Sequence, residues 1–90
     1  MTTTTTDIPI NPDTWTQIAG AAATVTGFFT VFGDSAVMYR QGTSVPATSV
    51  ETGHWLEPAS DAVRFDLMAS ERAYARSKGF AATIIMTLDG

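Results

Sequence analysis

Over residues 63–68 the chain alternates. Val63, Phe65 and Leu67 stand on one side of an extended backbone, and Arg64, Asp66 and Met68 on the other. A period of two marks a strand with one face on a core and one toward water. The same period recurs upstream, where Phe28, Thr30 and Phe32 oppose Phe29 and Val31, and where Val37 and Tyr39 oppose Ala36, Met38 and Arg40. In Ala81 to Leu88 the run Ile84-Ile85-Met86 is apolar without a break, which suits a strand covered on both faces or lying at an interface. A helical period is sustained nowhere. Even ASERAYAR (Ala69 to Arg76), rich in helix formers, would offer only Ala69, Ala73 and Tyr74 as a stripe. The chain is therefore expected to be all-β.

Turn residues punctuate these runs. Gly33-Asp34-Ser35 reads as the turn of a hairpin, and Glu57-Pro58-Ala59-Ser60 as a turn after the short strand His54-Trp55-Leu56. Thr43 to Thr52, with Pro46 at its centre, has too little apolar content to pack alone. It is expected to be a surface loop of about ten residues, functional or a crossover between sheets. Asp13 to Ala19 reads as a short edge strand carrying Trp15 and Ile18. Seven or eight short strands at this spacing predict a small β-sandwich, jelly-roll or Ig-like, over residues 14–90. Residues 1–13 open with a threonine tract, and Pro9 and Pro12 bar a helix there. With few apolar groups they predict an extended N-terminal arm, either frayed or laid along a neighbouring subunit through Ile8 and Ile10.

Ninety residues make one domain, able to bury roughly 63% of its unfolded surface, so association with other chains would help it. There is no cysteine, hence no disulfide framework and no thiolate metal site. A net charge of −4 argues against nucleic acid as a partner. Arg72, Arg76 and Lys78 read as a solvated strand end and not as a phosphate patch. Thr14 to Gly33 carries no charge and is long enough to cross a bilayer. Its threonines, its glycines and the bend at Thr26-Gly27 instead predict a pair of strands, and no membrane partner is expected.

Little in the chain suggests catalysis. His54 is the only histidine, the simplest general base at neutral pH. Ser44, Ser49 and Ser60 are conceivable nucleophiles, and Asp61 or Asp66 conceivable orienters, but none lies in a nucleophile motif. The carboxylates are scattered, and Glu57 with Asp61 around one turn is only a weak calcium hint. No enzyme activity and no cofactor are expected. Trp15, Trp55 and Tyr39 could stack on sugar rings, although large amphipathic aromatics also suit the core and protein interfaces.

The order of elements resembles small structural proteins of tailed-bacteriophage particles. The residues that carry the likeness are Trp15 and Ile18, then Gly53, Leu56 and Pro58, then Phe65 and Leu67. Glu71, Tyr74, Ala75 and Arg76 follow, with Thr83 and Ile84 in the closing strand, so the likeness spans Trp15 to Leu88. The resemblance implies a β-sandwich without catalytic residues, located in the virion. Its role would be to decorate or cement the capsid, with a tail component as the alternative; apart from the resemblance, the aromatics Trp15, Trp55 and Tyr39 leave a carbohydrate-binding or adhesin module as a further alternative. Its partners would be the major capsid protein or other virion proteins, and its own copies as a dimer or trimer. Ile8, Ile10, Trp15, Phe28, Phe29, Trp55 and Ile85 are the residues expected to meet them.

Overall fold

A computed structural model describes residues 3–20, 24–33, 35–50, 52–58 and 62–89. Among them are eight strands and no helix: β1 (Thr3–Ile10), β2 (Thr16–Gly20), β3 (Val25–Gly33), β4 (Val37–Gly42), β5 (His54–Leu56), β6 (Val63–Leu67), β7 (Arg72–Ser77) and β8 (Ala82–Asp89). They form two four-stranded antiparallel sheets, ordered β1-β8-β3-β6 and β2-β7-β4-β5. That is the strand order of a jelly roll, one of the two sandwich forms expected.

The core lies between the sheets and collects one side of each strand's alternation. The first sheet contributes Ile10, Phe29, Val31, Phe65, Leu67, Ala82, Ile84 and Met86, and the second Ile18, Ala19, Val37, Tyr39, Ala73 and Ala75. At its centre the Phe29 ring lies 5.3 Å from Tyr39 and 6.2 Å from Phe65, tilted against both. Such pairing is worth about 0.5–1.5 kcal/mol beyond the buried area. Gly27 permits the close approach of β3 to β8, since a Cβ there would land on the Thr87 carbonyl oxygen.

The strands after the first were legible; several of their connections were not. Only β4 and β5 are consecutive strands that share a sheet. The turn after Gly33, expected to close a hairpin, instead carries the chain from the first sheet to the second, with Gly33 at φ 129°. Conversely, the long segment after Gly42 is no crossover, because β4 and β5 pair directly through Val37↔Leu56, Met38↔Trp55 and Tyr39↔His54. The closing strands β7 and β8 lie in opposite sheets. Alternation looks the same whether the next strand pairs or crosses, so it could not reveal any of this. The charge-free run to Gly33 holds β2 and β3, as expected for a pair of strands.

The expected N-terminal arm is the second correction. Thr3–Ile10 pairs residue for residue with Ala82–Asp89 of the same chain. Ile10 is buried, Ile8 packs at the core's margin, and Ser77 N donates to the Asn11 carbonyl at 3.1 Å. Residues 3–13 thus belong to the sandwich. Their apolar content was too small to fold locally, but β8, from the far end of the sequence, supplies both the hydrogen bonds and the core.

Candidate functional site

The two outer faces of the sandwich are finished differently. On the second sheet, Met38 and Tyr74 point outward and are buried nonetheless, together with Trp15 and packed by Val50. The cover is the segment between β4 and β5. Trp15 Nε1 donates to the Val50 carbonyl at 2.9 Å. Three outward arginines hold the rest. Arg72 Nη1 donates to the Thr43 carbonyl (3.0 Å) and Arg40 Nη1 to the Thr52 carbonyl (3.0 Å). Arg76 donates Nη1 to the Thr48 and Val50 carbonyls and Nε to the Pro12 carbonyl (2.6, 3.0 and 2.8 Å). Charged donors to carbonyls are stronger than neutral ones, so a loop with one apolar anchor stays down. The basic cluster expected to be a solvated strand end is therefore a clamp, with Arg76 only 8% exposed. Lys78 alone of the three is exposed.

The first sheet has no such roof among the described residues. Its outer face is built in rows fixed by register. Thr5, Thr87, Phe28 and Arg64 form one, Asp7, Ile85 and Thr30 the next, and Pro9, Thr83 and Phe32 a third. Thr5 and Thr87 share a hydroxyl–hydroxyl bond of 2.9 Å, and the Arg64 guanidinium lies 5.9 Å from the Phe28 ring centre. Phe28 and Ile85 are half-buried by their neighbours, whereas Phe32 is 66% exposed.

Of the seven residues expected to meet a partner, the structure places Ile10, Trp15 and Phe29 inside. Ile10 and Phe29 belong to the main core and Trp15 lies under the loop, so none of the three can touch a partner while the chain is folded. Ile8 lies at the core margin. Phe28 and Ile85 come together on the open face, where the alternation put Phe28 with Phe32. Trp55 is 53% exposed on β5, its Nε1 donating to Glu57 Oε1 at 2.9 Å and its ring 6.0 Å from Lys78 Nζ. Phe80 and Met68, also exposed, were not singled out from sequence: Phe80 lies outside the alternating runs, and Met68 was read with Arg64 and Asp66 as part of an ordinary water-facing side.

Two open depressions flank the second sheet. The larger, ≈ 440 Å³, is lined by Tyr39, Arg40, Gln41, Thr52, Gly53 and His54. The smaller, ≈ 250 Å³, is lined by Pro12, Met38, Arg76, Ser77, Lys78 and Gly79. The buried Tyr39 hydroxyl and Ser77 Oγ have no hydrogen-bond partner. Burial raises the Tyr39 phenol above its ordinary pKa of 10.0, and the side chain of Gln41 offsets this only in part.

Of the conceivable catalytic groups, His54 is on β5 and Asp66 on β6 of the other sheet. Ser44 and Ser49 are on the loop, and Ser60 and Asp61 fall outside the described residues. Among the described residues no hydrogen bond joins His54 to a serine or carboxylate, and no three potential ligands cluster for a metal. No helix among them is long and apolar enough to cross a membrane. No protein-family model, curated protein or solved structure matches the chain.

Proposed function

We propose that this chain is a non-enzymatic structural protein of a virus particle, a capsid decoration or cement subunit. It would dock on the major capsid protein or another virion protein through the open face of the β1-β8-β3-β6 sheet. One observation carries this reading: the chain roofs one outer face with its own loop and leaves Phe28, Phe32 and Ile85 together on the other. Apolar groups side by side on an uncovered face favour burial against a partner. A rigid sandwich presents such a face without ordering cost at the moment of binding. The resemblance of the sequence to small phage structural proteins points the same way.

The test is co-sedimentation of the purified protein with particles assembled from the genome that encodes it. Binding to heads, weakened on the order of tenfold or more by a Phe28→Asp/Phe32→Asp double variant, is the expected result. Absence from particles sinks the reading, and recovery with tails alone would move the protein to the tail.

A second reading rests on Trp55. A half-exposed indole whose N–H is held by Glu57 is a fixed platform for a sugar ring. A carbohydrate-binding module would give glycan-array signal that Trp55→Ala abolishes.

A further inference from the structure

The sandwich has four edge strands, and three are protected against pairing with another chain. β5 is only 3 residues long. β2 breaks register between Gln17 and Ala19, and Gln17 Nε2 turns back to the Gly20 carbonyl at 3.0 Å. β6 is 5 residues long and carries Arg64 and Asp66 on its outward side. Short strands, bulges and charges are the usual means of keeping an edge unpaired. β1 differs. It runs for 8 residues, and its one charge and one proline, Asp7 and Pro9, fall in its second half, so that over Thr3–Thr6 it has neither and no register shift. Threonine is among the residues that best suit a strand. One side of this strand is fully paired with β8, and β1 ends its sheet.

We infer that β1 is a homotypic docking edge, pairing antiparallel with β1 of a second copy so that two four-stranded sheets become one of eight. The register follows from the sequence. A two-fold axis perpendicular to the sheet at Thr5 sets Thr5 against its own counterpart, Thr4 against Thr6, and Thr3 against Asp7. This arrangement keeps Pro9, which has no N–H to give, outside the paired stretch. Centring on Thr6 would draw Pro9 in, and centring on Asp7 would oppose two carboxylates. Residues paired about Thr5 share parity, so each pair projects from the same face of the joined sheet. The contact is isologous and closes at two copies. It leaves the open face free, and so does not depend on the virion reading.

The absence of native cysteine makes a direct test possible. In the full-length chain, Thr5→Cys puts two sulfurs across the axis, where opposed Cα atoms of an antiparallel pair are about 4.5–5.5 Å apart, within disulfide reach. Thr87→Cys, one strand inward, puts them three strand spacings apart, about 14 Å, and out of reach. Under mild oxidation T5C is expected to cross-link on the order of tenfold or more faster than T87C, because pairing raises the effective concentration. Sedimentation should give a wild-type dimer. T5K and T5E should each be monomeric, with a dimer restored when the two are mixed, which separates loss of pairing from loss of fold. A monomeric wild type at high micromolar concentration, equal cross-linking of the two cysteine variants, or a T5K dimer overturns the proposal.

Discussion

Arg76 shows how far one side chain can reach from a strand. It stands on β7, but its guanidinium serves Pro12, Thr48 and Val50, tying the β1–β2 turn and the covering loop to one sheet. Arg76→Ala would leave three carbonyls without their charged donor, and we expect a loss of about 3 kcal/mol by urea denaturation. Arg76→Lys should recover less than half of that, since an ammonium cannot span the three acceptors as a planar fork does. Tyr39 behaves in the opposite sense. Its buried hydroxyl has no partner in full hydrogen-bond geometry and only a weak interaction with the Gln41 side chain, so Tyr39→Phe is expected to be neutral or stabilising by up to about 1 kcal/mol. The phenol has a pKa raised in the folded state, by burial first. The folded chain therefore holds its proton where the unfolded chain has released it. That contribution is fully present below pH 10.0 and is lost as pH rises through the folded pKa. Denaturation midpoints should fall above that pH in the wild type, and less steeply in Tyr39→Phe.

At the scale of elements, β1 was the least legible piece and has the clearest consequences. Read alone, TTTTDIPI has two apolar residues and a proline, too little to predict a place in a core. In the fold, Ile10 is 1% exposed, sealed by β8 and the opposing sheet. Ile10→Ala is thus expected to cost about 2–4 kcal/mol, a core-sized penalty that a frayed arm would not show. The loop after β4 was recognised as long and surface-bound, but its role was not. Its only apolar anchor is Val50, and its acceptors are backbone carbonyls, which carry no sequence signature. The donors were visible as Arg40, Arg72 and Arg76, on outward strand positions where a lone sequence suggests solvent. Val50→Asp should free the loop while sparing the sandwich. We expect faster proteolysis confined to residues 43–53 and an unchanged exchange-protected core.

For the molecule as a whole, the first strand pairs with the last and nearly every connection crosses between sheets. Non-local pairing of this kind slows folding, so stopped-flow refolding is expected in the range of milliseconds to seconds and not microseconds. The open face exposed by that topology combines residues from all four strands of the first sheet, among them Ile85 near one end of the chain and Phe28 far from it. Sequence could place Phe28 and Phe32 on one side of one strand, because alternation is a local property of the backbone. It could not place them beside Ile85, because register between distant strands is not. For the same reason sequence ranked Phe28 and Phe29 together as contacts, although adjacent residues face opposite ways and only tertiary structure says which way is in. The alternating Val63-Phe65-Leu67 pattern and its counterparts thus determined an all-β chain of seven or eight short strands and the two sides of those that alternate. Which strands pair, which outer face its own loop covers and which edge is left bare were decided only in three dimensions, where backbone hydrogen bonding joins segments that share no local signal.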